Sequence, residues 1–334
     1  MAVASVCYGG PGIAITTKFS TEDQRSAYQN AYRDMDGEWR IYSNSRHAGS
    51  SGKTAMAIKN ILVAYNGSKA SDAAVRMGLL MARKYDAHLT GVLAHGMPQV
   101  LSSAGPWLTD RLSEQLNDII ERTKSEIYEG ISAKFNEITA ASDRTEMCHW
   151  YDIYGSADAT IAEIARRFDI TLMGEFTPVP GEEQVMLRPD MVALQSGRPV
   201  MIVPADYEVA ELQEHAVLAW DGKRAAARAL SDAMLILETK SLVTVLTIGE
   251  DGPEREITGV NISAHLDRHG IKTEFIKLPR KGSVGTMITD FCRERDAGLL
   301  VMGAYEHSKF SEDLLGGVTN DVLKKTTIPV LMSH

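Results

Sequence analysis

Apolar residues along this chain fall into two alternating kinds of run. Short runs such as Ile61-Leu62-Val63-Ala64-Tyr65 are apolar at every position, the pattern of a strand buried on both faces. Between them, apolar residues recur three and four positions apart, as in Ala73, Ala74, Met77, Leu80 and Met81, the stripe of a helix laid over a core. Doubly buried strands separated by amphipathic helices predict a parallel sheet covered on both sides.

The alternation is written twice, which organises the whole reading. Ile61 to Gly67 (ILVAYNG) is echoed 155 positions later by Ala216 to Gly222 (AVLAWDG). Each copy then enters an Ala-rich helix, Ser71 to Tyr85 or Arg224 to Leu237, and an apolar strand, His88 to Ala94 or Leu242 to Ile248. Gly155-Ser156 and Gly282-Ser283 open later helices, and buried-type strands stop at Met173-Gly174 and Met302-Gly303. Proline-led strands close the copies, Pro199 to Val203 and Pro329 to Met332. Between the first pairs and the Gly-Ser pairs the offset shrinks to 127, so the first copy is about 28 residues longer there. The extra length includes Pro106-Trp107 and a helical run from about Leu112 to Ile138, read as an insertion and a candidate partner surface.

Each copy reads β-α-β-α-β-α-β-α-β. The expected fold is α/β, with two tandem doubly wound parallel five-stranded sheets carrying helices on both faces, Rossmann-like in kind. The expected division is residues 1–55 as an extension, 56–204 as a first domain, 205–213 as an acidic linker and 214–334 as a second domain. Residues 1–55 lack a sustained period of 2 or 3.6, which predicts disorder, and the natural start is expected at Met56. Gly49 to Thr54 imitates the end of a phosphate-binding P-loop. His47 stands where that motif needs a glycine, and a strand rather than a helix follows, so the stretch is read as a flexible Ser/Gly run.

Composition narrows the partners. With 35 Lys and Arg against 44 Asp and Glu the net charge is −9, which disfavours nucleic acid and anionic membranes. No run approaches the roughly 20 apolar residues of a membrane span. Cys7, Cys148 and Cys292 have neither disulfide-framework nor zinc-ligand spacing. Together with a start, MAVASVCYGGPGIAI, unlike a secretory signal, this predicts a cytoplasmic protein.

In a doubly wound sheet the ligand crevice lies beyond the carboxyl ends of the strands, where strand order reverses. The loops after strands one and four are therefore the candidates. In the second copy they hold Asp221-Gly222 and Met302-Gly303, followed by Gly316-Gly317-Val318-Thr319. Asp221 suits a ribose hydroxyl, and the glycines would let backbone amides reach a phosphate at a helix start.

At this point LVAYNGS and VLAWDGK, the strand-four MG, LLGGVTNDVL, and the closing RPVMIVP and IPVLMS resemble, in order, a tandem universal stress protein over about residues 56–334. The resemblance implies the fold of that family, pairing of the two copies through their closing strands, further self-association as a homodimer, and a stress-response binding or regulatory role. It also implies ATP, with magnesium, held by a G-x2-G-x9-G-[ST] signature and an acidic residue after strand one.

Against that signature the second copy is degenerate. Gly303 and Gly316 match, Glu306 and Gly317 replace the second glycine and the hydroxyl residue, Asp221 matches the acidic position, and Thr319 is a substitute hydroxyl. A carboxylate at Glu306 facing a phosphate would oppose it by roughly 4 kcal/mol at about 4 Å and an effective dielectric near 20. The first copy departs further, with Asn66, Thr177 and Leu187-Arg188 at the corresponding places. It is expected not to bind ATP in this manner, although Pro189 and Gly197 predict that its short helix survives, with Arg188 near its start as an anion contact.

No catalytic set assembles. Ser68 lacks a matched His and Asp, and His265 and His269, spaced for zinc, lie on a polar helix and read as solvated surface. His95 and His149 read as packed or exposed histidines, and Lys324-Lys325 as a complement to a helix dipole. Weak ATP binding in the second domain is the leading expectation, with at most weak ATPase activity. A nucleotide-independent interaction module and an adenine-nucleotide hydrolase or transferase of similar scaffold are the alternatives.

Overall fold

The computed structural model describes residues 31–33, 39–41, 58–96, 126–176, 185–249, 261–304 and 317–334. The chain divides into two compact units, Met1–Ala55 and Met56–His334. In the first, β1 (Ala31–Arg33) pairs antiparallel with β2 (Trp39–Ile41), the second strand falling on the short apolar-rich stretch at Trp39 and Ile41. The P-loop-like stretch and Cys7 lie outside the described residues.

The second unit holds both copies. In the first, β3 (Asn60–Ala64), α1 (Lys69–Tyr85), β4 (His88–His95), α2 (126–140), β5 (Cys148–Tyr154), α3 (Ala157–Ala165), β6 (Ile170–Gly174), α4 (Pro189–Ser196) and β7 (Val200–Val203) follow one another. The second repeats the order as β8 (His215–Ala219), α5 (Arg224–Leu237), β9 (Leu242–Ile248), α6 (Ile262–Arg268), β10 (Thr273–Leu278), α7 (Val284–Glu294), β11 (Leu299–Gly303), α8 (Val318–Lys325) and β12 (Val330–Ser333).

The two five-stranded halves merge into one ten-stranded sheet, β10-β9-β8-β11-β12-β7-β6-β3-β4-β5. Every pairing is parallel except the joint, where Val330, Leu331 and Met332 oppose Ile202, Met201 and Val200 antiparallel. Strand order reverses between β3 and β6 and between β8 and β11, the places expected from the order of elements. Alternate residues of each strand feed opposite cores. Ile61, Val63, Met201 and Leu331 pack on one face with α1 and α5, while Leu62, Ala64, Ile202, Val330 and Met332 pack on the other.

Helix α1 starts where the Ser68 side chain accepts from the Ser71 amide (3.2 Å) and stops at Asp86, whose left-handed backbone ends the ladder. The helical run near Ile138 proves to be α2, the β4–β5 crossover and the counterpart of α6. The helix itself is therefore no insertion; the first copy lengthens an ordinary crossover, and Pro106-Trp107 and the start at Leu112 lie outside the described residues. Gly91 makes room for it, because a Cβ there would sit 2.4 Å from the Phe135 ring. Phe135 packs against Tyr65 and Trp150 with ring centroids 5.6 and 5.0 Å away. The Tyr65 hydroxyl donates to Asp72 Oδ1 (2.7 Å), and Lys134 Nζ reaches Asp72 Oδ2 (2.8 Å) and the Gly67 carbonyl (2.9 Å). Burial and the Asp72 carboxylate push the Tyr65 phenol far above its usual range.

Residues 205–213 run along α1. Lys69 pairs with Asp206, Arg76 with Glu208 (3.9 Å), and Lys84 with Glu214 just beyond (3.3 Å). Gln213 packs where Gly298 lacks a side chain, and Lys240 Nζ donates to the Gln213 carbonyl.

Burial, with Lys84 nearby, lowers the Lys240 ammonium to about 8, whereas an unfolded lysine titrates near 10.4. The unfolded chain then binds more protons between those values, so this group makes stability rise with pH across that window. Lys240→Met is expected to flatten the rise; thermal melts at several pH values measure it, and an unchanged slope would contradict the assignment.

Candidate functional site

At the switch point of the second copy, β8 and β11 lie side by side, with Ala216, Val217 and Leu218 opposite Leu299, Leu300 and Val301. Their carboxyl ends bring the Asp221-Gly222 turn next to Met302-Gly303. Asp221 Oδ1 accepts from the Lys223 amide (3.0 Å), Oδ2 lies 3.9 Å from Lys223 Nζ, and the side chain is 53% exposed. Gly222 has φ 74, a left-handed value that the turn into α5 requires. The aspartate both shapes the turn and leaves a carboxylate edge to solvent.

Helix α8 begins at the same end of the sheet. Gly317 precedes it with φ 138, Val318 is exposed and Thr319 is buried. Its first turn presses on α7: a Cβ on Gly285 would lie 2.5 Å from Asp321 Cβ and 2.9 Å from the Val318 carbonyl oxygen. The Ser283 hydroxyl, capping α7, bonds the Asp321 carboxylate, and Lys325 Nζ donates to Thr286 Oγ1 (2.6 Å). Sequence reading missed Asp321. A carboxylate in the first turn of a helix whose start is proposed to face an anion would be unfavourable if free, and Ser283 ties it to the neighbouring helix. Gly316 and Glu306 lie outside the described residues, as do Leu314 and Leu315.

Two sequence candidates acquire a structural role. Met302 is buried in the core, so only its backbone can border a ligand. Gly303 is required by packing, because a Cβ there would lie 2.4–2.7 Å from Ala225 and the Ala226 amide at the start of α5. Gly174 stands in the same relation to Ala70 and Ser71 at the start of α1. The recurring strand-four glycine is thus a contact between sheet and helix common to both copies.

The first copy's crevice is filled by its own chain. Asn66 repeats the turn, its Oδ1 accepting from the Ser68 amide (3.2 Å), while its Nδ2 donates to the Val185 carbonyl (3.3 Å). Val185 and Leu187 are buried beside it. Asn66, Ser68, Ser71, Gly174, Glu175 and Leu187 enclose a cavity of ≈ 20 Å³, room for about one water. Helix α4 survives as expected from Pro189, with Gly197 left-handed at its end. At its start Asp158 Oδ1 accepts from the Arg188 amide (2.7 Å), and the half-exposed Arg188 guanidinium lies 3.8 Å from Asp190.

The histidines have local partners. His95 Nε2 meets Asp152 Oδ1 at 2.6 Å, His269 Nδ1 meets Glu238 Oε1 at 2.8 Å, and His88 meets His149. Among the described residues no group of three or more His, Cys, Asp or Glu is placed to hold a metal ion. Burial pushes the Cys292 thiol up to about 12 and raises that of Cys148, far from the thiolate a nucleophile needs. No described helix is long and apolar enough to cross a membrane.

Gly174→Ala and Gly303→Ala are expected to destabilise the protein by similar amounts, about 1–3 kcal/mol each, as overpacking against a helix backbone. Urea denaturation of the two variants measures this; a Gly303→Ala protein as stable as the parent would remove the packing explanation.

The universal stress protein family model matches the chain twice, over residues 57–173 and 210–334. Among solved structures, a universal stress protein from Archaeoglobus fulgidus is similar at 16% identity and TM-score 0.57, covering 82% of this chain and 95% of that one. A protein of unknown function from Pseudomonas aeruginosa aligns at 17% identity and TM-score 0.46, over 83% of this chain and 92% of that one. No curated protein matches the sequence. The first family match runs through β3 to β6 and the second through β8 to β12, so the chain belongs to the universal stress protein family and carries its domain twice.

Proposed function

We propose that this protein is a cytoplasmic stress-response module that binds one adenine nucleotide, ATP with magnesium, in the crevice of its second domain, while the first domain is a closed partner. The proposed division is 56–204 and 214–334, joined by 205–213. The observation that carries the reading is the contrast at corresponding positions. Asn66 and Leu187 close one crevice down to ≈ 20 Å³, whereas in the second copy Asp221 keeps an exposed carboxylate edge and α8 starts at a glycine, Gly317.

In this reading Asp221 accepts hydrogen bonds from ribose hydroxyls. The backbone amides of Gly317, Val318 and Thr319, with the positive end of the α8 dipole, face phosphate oxygens. Gly222 and the Met302-Gly303 backbone border the nucleotide, and Gly316 supplies close backbone approach. Lys223, beside Asp221, adds a positive charge at this end of the sheet. The role in this reading is recognition and signalling, with at most weak ATPase activity. The closing strands already pair within the chain, so self-association would use other surfaces.

Calorimetric titration of the full chain with ATP and magnesium tests this. The unaltered protein is expected to bind. Gly316→Leu, which copies Leu187 of the first domain, should abolish the heat, and Asp221→Ala should weaken binding by about tenfold or more, as for a lost hydrogen bond to a charged group. Failure of the unaltered chain to bind, or full binding by Gly316→Leu, would overturn the proposal and favour a nucleotide-independent interaction module.

A further inference from the structure

His88 opens β4 and His149 lies near the start of the edge strand β5. The register sets His149 opposite Thr90, so His88, two residues before Thr90, is its diagonal neighbour on the same face of the sheet. His88 Nδ1 and His149 Nε2 stand 3.0 Å apart, the rings inclined by 19° with centroids 5.3 Å apart. His88 is exposed and His149 half-buried.

We propose that His88 and His149 form a two-nitrogen chelate for a divalent transition metal ion, copper(II) by preference. Imidazole suits copper, nickel and zinc, and copper(II) stands at the top of the affinity order for such ligands. Nitrogens about 2.1 Å from a metal are about 3.0 Å apart when they subtend a right angle, as in tetragonal copper(II), and about 3.4 Å apart in a tetrahedron. The observed separation matches the right angle. To receive the ion, the ring that donates in the present hydrogen bond carries its proton on its other nitrogen instead, and turns so that both lone pairs converge.

Both rings must be neutral to act as ligands. Water completes the coordination, since the described residues offer no third ligand of the His, Cys, Asp or Glu type. The corresponding positions of the second domain, aligned through the strand registers, are Leu242 and Glu274, so the chelate belongs to the first domain alone. Bridging β4 to β5 would fasten the edge of the ten-stranded sheet.

Titration of the full chain with copper(II), followed by electron paramagnetic resonance and by melting temperature, tests the site. The unaltered protein should give a spectrum with two imidazole nitrogens and a melting temperature raised by copper. His88→Ala and His149→Gln should each weaken that binding by about tenfold or more and lose the thermal shift, while His265→Ala keeps both. Equal copper binding in the unaltered protein and both pair variants, or no binding by the unaltered protein, would overturn the proposal. Circular dichroism of the variants confirms that they are folded.

Discussion

Val330, Leu331 and Met332 of β12 run antiparallel to Ile202, Met201 and Val200 of β7, and the two halves of the unit Met56–His334 are arranged around that ladder. Alone, each five-stranded half would end in an apolar edge strand, with unpaired backbone groups and side chains that belong in a core. Joined, the two edges satisfy one another. All six of these side chains are buried, each contributing roughly 1.5–3 kcal/mol relative to exposure. Met201 and Leu331 continue one core across the joint and the other four continue the opposite core. The linker runs along α1 beside the exposed Lys69–Asp206 and Arg76–Glu208 pairs, and the continuous sheet joins the two copies.

Within that body the two crevices have the same scaffold and different contents. Each has a polar side chain that turns the chain after its first strand, a glycine pressed by a helix start, and a short helix opening toward the carboxyl ends. Divergence lies in what stands next to those parts. Asn66, unlike a carboxylate, has an amide donor for the Val185 carbonyl, and Leu187 covers the gap that remains. Asp158 then caps the start of α4. In the second copy Asp221 has acceptors only, and Ser283 draws the Asp321 carboxylate onto α7. The two copies keep the same frame, and under the proposed function these few side chains set which crevice takes a ligand.

The strands and helices were legible because burial on two faces and on one stripe leaves local patterns. Ile61 to Tyr65 and Ala73 to Met81 hold positions their spacing predicts, and the closing strands pair as the family resemblance implied. Less was legible where a role depends on a distant neighbour. The packing of Gly303 against Ala225 leaves no mark in the Met302-Gly303 motif, and neither does the burial of the Met302 side chain. The run near Ile138 looks inserted because a long crossover and an extra element have the same length signature; the matching place of α6 between β9 and β10 distinguishes them. Asp321, and the pairing of His88 with His149, depend on contacts between residues far apart in sequence, which no period records.

The central claim is that one of two homologous crevices is open. Equilibrium dialysis of the full chain against labelled ATP and magnesium, carried to saturation, counts the nucleotides bound per polypeptide. The account predicts one; two, or none, would contradict it.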